Sequence, residues 1–431
     1  MLGGLARRIG GEQWQRNNLA ATLTVFLLTA GFSFTIPFLP SYLQQIDGLD
    51  KEHAAFWSGI ATGLGGVGAM LTGPFWGILG DRIGRKPMLV RAATGGSVGL
   101  LLFAFCQTTW QVVLVRFFVG VMAGAPAAAM ALIAATTPPE KVNRALGMFQ
   151  AGMQMGLAFG PLIGAGFIEL LGYDGTFVVT SLLMFTGVLA TVVLVEEDRS
   201  TLRRRKRRGE ADDGPPPEVL RSVLFTRPVI AVFLVVLVLG VGRPMTLPVL
   251  PGFADDLMGD DGSLNFTLGI LFFGMAVAGA VMSIYAVRLN ERFGFNRVLL
   301  LTCVGSAVMT VAQGASNHVV QLVVLAWMVA LFQGGLQTGT VTLLTAAVPA
   351  SLISGMFGFY SAVQSASQQI GPTLGGSLAV GVGFRGVFVF AGLLFLVSGV
   401  VAYVILERST SPAAPPPMVP APTSDEVALE T

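Results

Sequence analysis

The chain has 431 residues, 53% of them hydrophobic and 12% charged, with a formal net charge of +2 and a mean hydropathy of +0.73. A soluble domain carries roughly 25% charged residues, so the composition excludes a water-soluble globular protein and implies one embedded in lipid. The near-neutral balance says little about partners, so the distribution of charge carries the argument, and no nucleic-acid partner is expected. Two cysteines, Cys106 and Cys303, lie in or beside apolar segments without a second ligand at metal spacing, which excludes a disulfide framework and suggests no metal or cofactor.

A spanning helix needs about 20 mainly apolar residues, and twelve such segments can be drawn. The first, at about 18–44, has no small-residue cleavage site, so it reads as a retained span and not a signal peptide. It carries Phe32, Ser33 and Thr35. Spans 2 and 3, at about 54–79 and 87–107, are joined by the charged island "WGILGDRIGRKP". Span 4, at 109–136, holds Arg116 and Met122, and Glu140 follows it. Span 5, at 142–170, holds Gln150, Gln154 and Glu169, and span 6 covers 175–195. Residues 196–226 form a charged, proline-rich linker containing "RRRKRR". Six more spans follow, at about 227–251, 264–288, 297–315, 318–347, 353–380 and 386–406; the tail from 409 to 431 reads as disordered. Domains are therefore 1–195, the linker 196–226, 227–408 and the tail.

The distribution of charge tests this order, because Lys and Arg collect on the cytoplasmic side of a membrane protein. Of 26 such residues, 21 fall on one side, and the opposite side has only Lys51 and Arg385 beside an acidic 252–263 loop. Both termini are expected in the cytoplasm. Arg91, Arg116 and Arg243 fall inside spans, where each costs about 2.5–3.5 kcal/mol on insertion scales. Arg91 is near a span end and is expected to snorkel; Arg243, in the outer half of span 7, is expected to touch substrate or gate.

Two motifs recur. "GILGDRIGRKP" after span 2 is echoed by "VRLNERFGFNR" after span 8, at an offset of 210. Gly147, Gly160, Pro161 and Gly164 of span 5 are matched by Gly358, Gly371, Pro372 and Gly375 of span 11, at an offset of 211, with Ser367 standing where Gly156 does. The fold class that follows is all-α and integral to the membrane, with twelve helices as two pseudo-symmetric six-helix bundles around a midplane site.

On these residues the chain resembles the major facilitator superfamily. Gly77, Leu79, Asp81, Arg82, Gly84, Arg85 and Lys86 are similar to its helix 2–3 signature. Gly147, Gly156, Gly160, Pro161 and Gly164 resemble the helix 5 signature of drug:proton antiporters, and Arg116 with Gly120 and Gly124 the arginine-bearing helix 4 signature. Details such as "IPFLPSYL" and "GFRGVF" look closest to twelve-helix bacterial multidrug efflux proteins. The resemblance implies a bacterial inner-membrane antiporter, with Arg116 in proton handling, Arg85 paired to an acid, and span 5 blocking proton leak.

Read physically, Asp81 at the mouth between the halves is placed to bind a cation or the positive end of a helix, closing an inner gate; Glu291 is its weaker counterpart and Glu140 the candidate partner of Arg85. The glycines four apart on span 5 let a neighbouring helix approach closely. No carboxylate falls near the middle of a span, so coupling is left to Arg116, Asp81 or Glu169, to a proton carried by the substrate, or to none. The cavity is expected to be apolar with neutral polar groups: Phe32, Ser33, Met122, Gln150, Gln154, Gln333, Gln337, Gln364 and Gln368, joined by Arg243. The expected function is export of hydrophobic or amphipathic small molecules by a monomer using alternating access, coupled to protons. A lipid or glycolipid translocator, an uncoupled transporter and a non-transporting receptor or scaffold stay open as alternatives, and no nucleotide loop or nucleophile motif suggests an enzyme.

Overall fold

The computed structural model describes residues 12–197, 226–259, 262–348 and 352–409. Nearly all of the linker and the tail lie outside these ranges, and Asp81, Gln337 and Gly358 are placed only in their backbone. Every regular element among the described residues is helical: α1 (Gln13–Asp47), α2 (Lys51–Ile83), α3 (Arg85–Phe103), α4 (Thr109–Val121), α5 (Ala125–Thr136), α6 (Val142–Leu194), α7 (Arg227–Met245), α8 (Leu250–Met258), α9 (Leu264–Phe293), α10 (Phe295–Gly314), α11 (Val319–Ala347) and α12 (Ile353–Ser409), with a short 3₁₀ turn at Pro139–Lys141.

Among the described residues eight stretches are long and apolar enough to cross a membrane. Two of them turn back at a single non-helical glycine, Gly172 in α6 and Gly383 in α12, and so cross twice. With α3 and α11 the crossings number twelve.

Glycines in the left-handed region set the turns, because a side chain there meets the backbone. They repeat as the motifs do. Gly48 (φ 62°) and Gly259 (φ 59°) are 211 residues apart, as are Gly172 (φ 69°) and Gly383 (φ 71°); Gly84 (φ 109°) and Gly294 (φ 82°) are separated by 210. The turns at Gly84 and Gly294 mark one membrane face, called here the Gly84 face, and Gly48 and Gly259 mark the other, the Gly48 face. At the latter, Asp50 caps α2 by accepting from the His53 backbone N–H at 2.7 Å, a bond that holds its carboxyl below the usual range.

The packing inside each half follows the same repeat. On span 5, a Cβ at Gly156, Gly160 or Gly164 would stand 2.2 Å from Thr29 Oγ1, 2.3 Å from the Ala30 carbonyl and 2.6 Å from the Phe34 Cβ of span 1. On span 11, a Cβ at Gly371 or Gly375 would stand 2.6 Å from the Val241 carbonyl or 1.9 Å from the Met245 carbonyl of span 7, and Ser367 fills the hollow over Gly240. Each partner is again displaced by 211: Thr29 to Gly240, Ala30 to Val241, Phe34 to Met245. The glycine series thus joins helices within a bundle. Among the motif's members, Gly147 has nothing within 4 Å of its Cβ position.

Spans 4 and 7, expected to be continuous, are broken. Span 4 stops at Val121 and restarts at Ala125 through Gly124 (φ 115°), and backbone groups freed in a membrane cost several kcal/mol each unless they find partners. The Val121 carbonyl accepts from Trp76 Nε1 at 2.7 Å and Thr72 Oγ1 at 3.1 Å; the Ala123 carbonyl accepts from Arg91 Nη2 at 2.9 Å. The Arg91 guanidinium also lies 3.8 Å over the Trp76 ring. Arg91 therefore does not snorkel to the surface: the break draws it inward. Span 7 breaks after Met245, where a turn uses its own groups, Leu250 N–H donating to the Thr246 carbonyl at 3.0 Å.

Candidate functional site

The two halves meet along two helix pairs, both near the Gly48 face. Span 2 packs on span 11: a Cβ on Gly59 would stand 2.3 Å from the Pro372 carbonyl, on Gly63 2.2 Å from Thr373 Oγ1, and on Gly376 2.5 Å from the Ala55 carbonyl. Thr373 Oγ1 donates to the Gly59 carbonyl at 3.2 Å. Span 5 packs on span 8 through Gly269 against Pro161, Leu162 and Ala165, through the Phe159 and Phe273 rings 5.2 Å apart, and through Tyr173 donating to Asn265 at 3.0 Å. At the rim Lys51 pairs with Asp255 at 2.7 Å and Asp256 at 2.6 Å, and Ser263 bonds Glu169.

Among the described residues these contacts end toward the Gly84 face. Gly59, Gly63, Gly66, Gly73 and Gly77 lie on one stripe of span 2, at the i, i+4, i+7 spacing of a helix face. The first three press on span 11, whereas Gly73 and Gly77 have nothing within 4 Å. Nearby Met70, Leu71, Phe75 and Ile78 are 59–65% exposed. Among the described residues the span 2 stripe is packed toward the Gly48 face and open toward the Gly84 face. The stripe is written in "GIATGLGGVGAMLTGPFWG", where the glycine spacing is its sequence signal.

Of the predicted gate residues, Gly84 makes the turn its φ of 109° requires. Arg82 and Glu291 are exposed at the two related turns, and Glu140 is exposed in the 3₁₀ turn. Among the described residues, an acid that reaches the α2–α3 turn is Glu197, just past span 6. Its carboxylate accepts the backbone N–H of Arg85 at 2.7 Å and of Lys86 at 2.9 Å, while Lys86 Nζ donates to the carbonyls of Val192 and Val195 at 2.8 and 2.7 Å. A carboxylate on a helix N-terminus and an ammonium on a C-terminus each complement the helix dipole, so the pair ties span 6 to the start of span 3. The "EE" directly after span 6 was its sequence signal.

The cavity candidates divide. Ser33 is buried and donates to the Gly156 carbonyl at 3.2 Å inside the amino-terminal bundle, whereas Phe32, beside Gly96, and Met122, beside Gly95, are half-buried. Gln333 is buried, Gln364 half-buried, and Gln150, Gln154 and Gln368 are exposed. Arg116 is 8% exposed, with Nε and Nη2 unpartnered and its guanidinium 5.9 Å from the Phe103 ring. Arg243 stands near the middle of span 7, not in its outer half, because the apolar stretch continues to Met258. Among the described residues no group of three or more His, Cys, Asp or Glu is placed to hold a metal ion.

This architecture has known counterparts. The fold matches a bacterial homolog of the human lysosomal transporter Spinster, solved in an inward-facing and unoccupied conformation, with a TM-score of 0.75 over 94% of this chain and all of that one at 13% identity. A POT family transporter in complex with a thioalcohol-conjugated peptide matches with a TM-score of 0.71 at 12% identity, over 92% of this chain and 97% of that one. In sequence the chain is 28% identical to multidrug resistance protein MdtG of Proteus mirabilis over 88% of its length and 93% of that protein's, and 27% identical to its namesake from Klebsiella pneumoniae over 94% and 96%. The family model described as Major Facilitator Superfamily matches twice, at residues 21–265 and 232–427. With one match beginning in each half, over a fold of two repeated bundles, this chain belongs to the major facilitator superfamily.

Proposed function

We propose that this secondary transporter exports hydrophobic or amphipathic small molecules from a bacterial cytoplasm by alternating access, with the Gly84 face inward. One observation carries the reading. The span 2 glycine stripe is packed over its outer half and vacant over its inner half, the pattern of a helix pair that closes at one end or the other. The same bundles, rocked about the midplane, would bring Gly73 and Gly77 against span 11 and free Gly59 and Gly63. The excess of Lys and Arg beside the Gly84 face supports the orientation, and the printed names of the MdtG relatives support drug efflux.

Asp81 serves in this reading as the inner latch, formed when the inner half closes. Proton antiport is part of the proposal, with Arg116, Asp81 and Glu169 as the groups offered for it. The test is transport of amphipathic dyes by proteoliposomes with and without a pH gradient. The gradient should accelerate export, and a rate that ignores it removes antiport while leaving uncoupled transport. Glu169 stands at the rim and accepts from Ser263 of the other bundle.

Lys51 gives a second check. Its pairs with Asp255 and Asp256 are 32–45% exposed, and an exposed pair contributes about 1 kcal/mol or less. Lys51→Gln should raise the population open at the Gly48 face by up to roughly fivefold, read as distances between spin labels on the outer ends of spans 2 and 11. An unchanged distance distribution would remove the pair from the gate.

A further inference from the structure

We infer that the cavity binds the anionic group of its substrate through Arg243, so that the transporter selects amphipathic anions, bearing a carboxylate, sulfonate or phosphate, over cations of the same shape. The inference rests on the transport reading above and names its substrate class.

The Arg243 side chain is exposed, although Val241, Gly242, Pro244 and Met245 beside it are buried. An arginine set against lipid at this depth is costly, so the exposed guanidinium faces an aqueous cavity. Among the described residues it makes no hydrogen bond or ion pair. The acids of its own span, Asp255 and Asp256, are engaged by Lys51 at the rim. Every other carboxylate whose side chain is described lies within a turn of a helix end or of the Gly172 kink, so none of these places a fixed negative charge at mid-span beside Arg243.

Nor does the fold demand an arginine here. The residue related to Arg243 by the 211-residue repeat is Phe32, an apolar side chain that fills its place against Gly96. The other two arginines within spans are accounted for differently: Arg91 closes the break in span 4, and Arg116 is enclosed in its bundle. Arg243 alone of the three is exposed and unbonded. Its guanidinium offers a planar fork of N–H donors that fits a carboxylate, sulfonate or phosphate in a bidentate manner. In an apolar, enclosed site the same charge repels a cation.

The test uses the full chain in proteoliposomes with two probes of similar shape and opposite charge, naphthalene-2-sulfonate and N-methylquinolinium. The sulfonate should be exported about tenfold faster or more. Arg243→Gln should lower its rate by about 10- to 100-fold, the worth of a lost charged hydrogen bond, and abolish the preference; Arg243→Lys, keeping the charge without the fork, should restore part of it. A wild-type preference for quinolinium, or equal losses for both probes in Arg243→Gln, would overturn the anion site while leaving export intact. Sulfonate binding in nanodiscs that depends on Arg243, without transport of either probe, would support the site and overturn the export reading; absence of such binding and of transport would overturn both. Arg243-dependent movement of tail-labelled phosphatidylglycerol, but not phosphatidylcholine, between leaflets would assign the anion to a lipid headgroup, and its absence beside sulfonate export to a soluble compound.

Discussion

Tryptophan in place of Gly77 is expected to leave the protein folded and to abolish transport. In the structure Gly77 faces open space, with no atom within 4 Å of its Cβ position, so the indole finds room and costs nothing in packing. In the proposed alternate state the same face must lie against span 11 as closely as Gly59 and Gly63 now do, at Cβ distances of 2.3 and 2.2 Å. Overpacking such a contact costs about 1–3 kcal/mol or more, which depletes the closed state roughly 5- to 150-fold. The variant should therefore show the wild-type thermal midpoint in detergent, a Gly73→Cys probe that stays reactive to thiol reagents from the Gly84 face, and export reduced at least about tenfold. Export at the wild-type rate would overturn the rocking motion through span 2, and loss of folding would overturn the vacancy of the inner stripe. Gly73, four residues earlier on the same face, should behave alike.

The twelve crossings and the two halves were legible in the sequence because length, apolar content and charge placement each depend on the bilayer, which acts on every span separately. The repeat was legible because its glycines are fixed by backbone geometry: Gly84 and Gly294 by their φ, Gly160 and Gly371 by carbonyls they touch. What could not be read was which side of a span faces which neighbour. In soluble helices polarity marks the outer face, but lipid, bundle interior and cavity wall are all apolar. Ser33, a polar residue that suits a cavity wall by its chemistry, is instead buried against span 5. The break in span 4 was hidden for a related reason. Its exposed carbonyls are satisfied by Trp76, Thr72 and Arg91 from spans 2 and 3, so its stability is a tertiary property with only Gly124 and Pro126 as local signs. Arg91, judged by its distance from a span end, was assigned to the surface although its partner lay 32 residues along the chain.

Leucine in place of Gly160 is the opposite experiment, and its expected result is loss of the folded protein. A Cβ there falls 2.0 Å from Ser33 Oγ and 2.3 Å from the Ala30 carbonyl. The hydroxyl can rotate away, but the carbonyl belongs to the backbone of span 1 and moves only if the helix does. The substitution should cost about 3 kcal/mol or more, seen as a lowered thermal midpoint and poor yield, and alanine should already be harmful. Gly371→Leu, its counterpart, should follow with a smaller loss, because its nearest atoms, Pro244 Cγ at 2.5 Å and the Val241 carbonyl at 2.6 Å, leave slightly more room. Gly147→Ala, in the same motif but with nothing within 4 Å, should be silent. A wild-type midpoint for Gly160→Leu would overturn the packing of span 5 on span 1. The contrast with Gly77 separates two uses of one residue type. Gly160 and Gly371 hold helices together inside bundles that stay rigid, so replacing them should lower stability without favouring either open state. Gly77 belongs to the surface between bundles, so replacing it should favour one state without lowering stability. Midpoint and accessibility measured on the same variants therefore distinguish the glycines that build the two bodies from those that let them move.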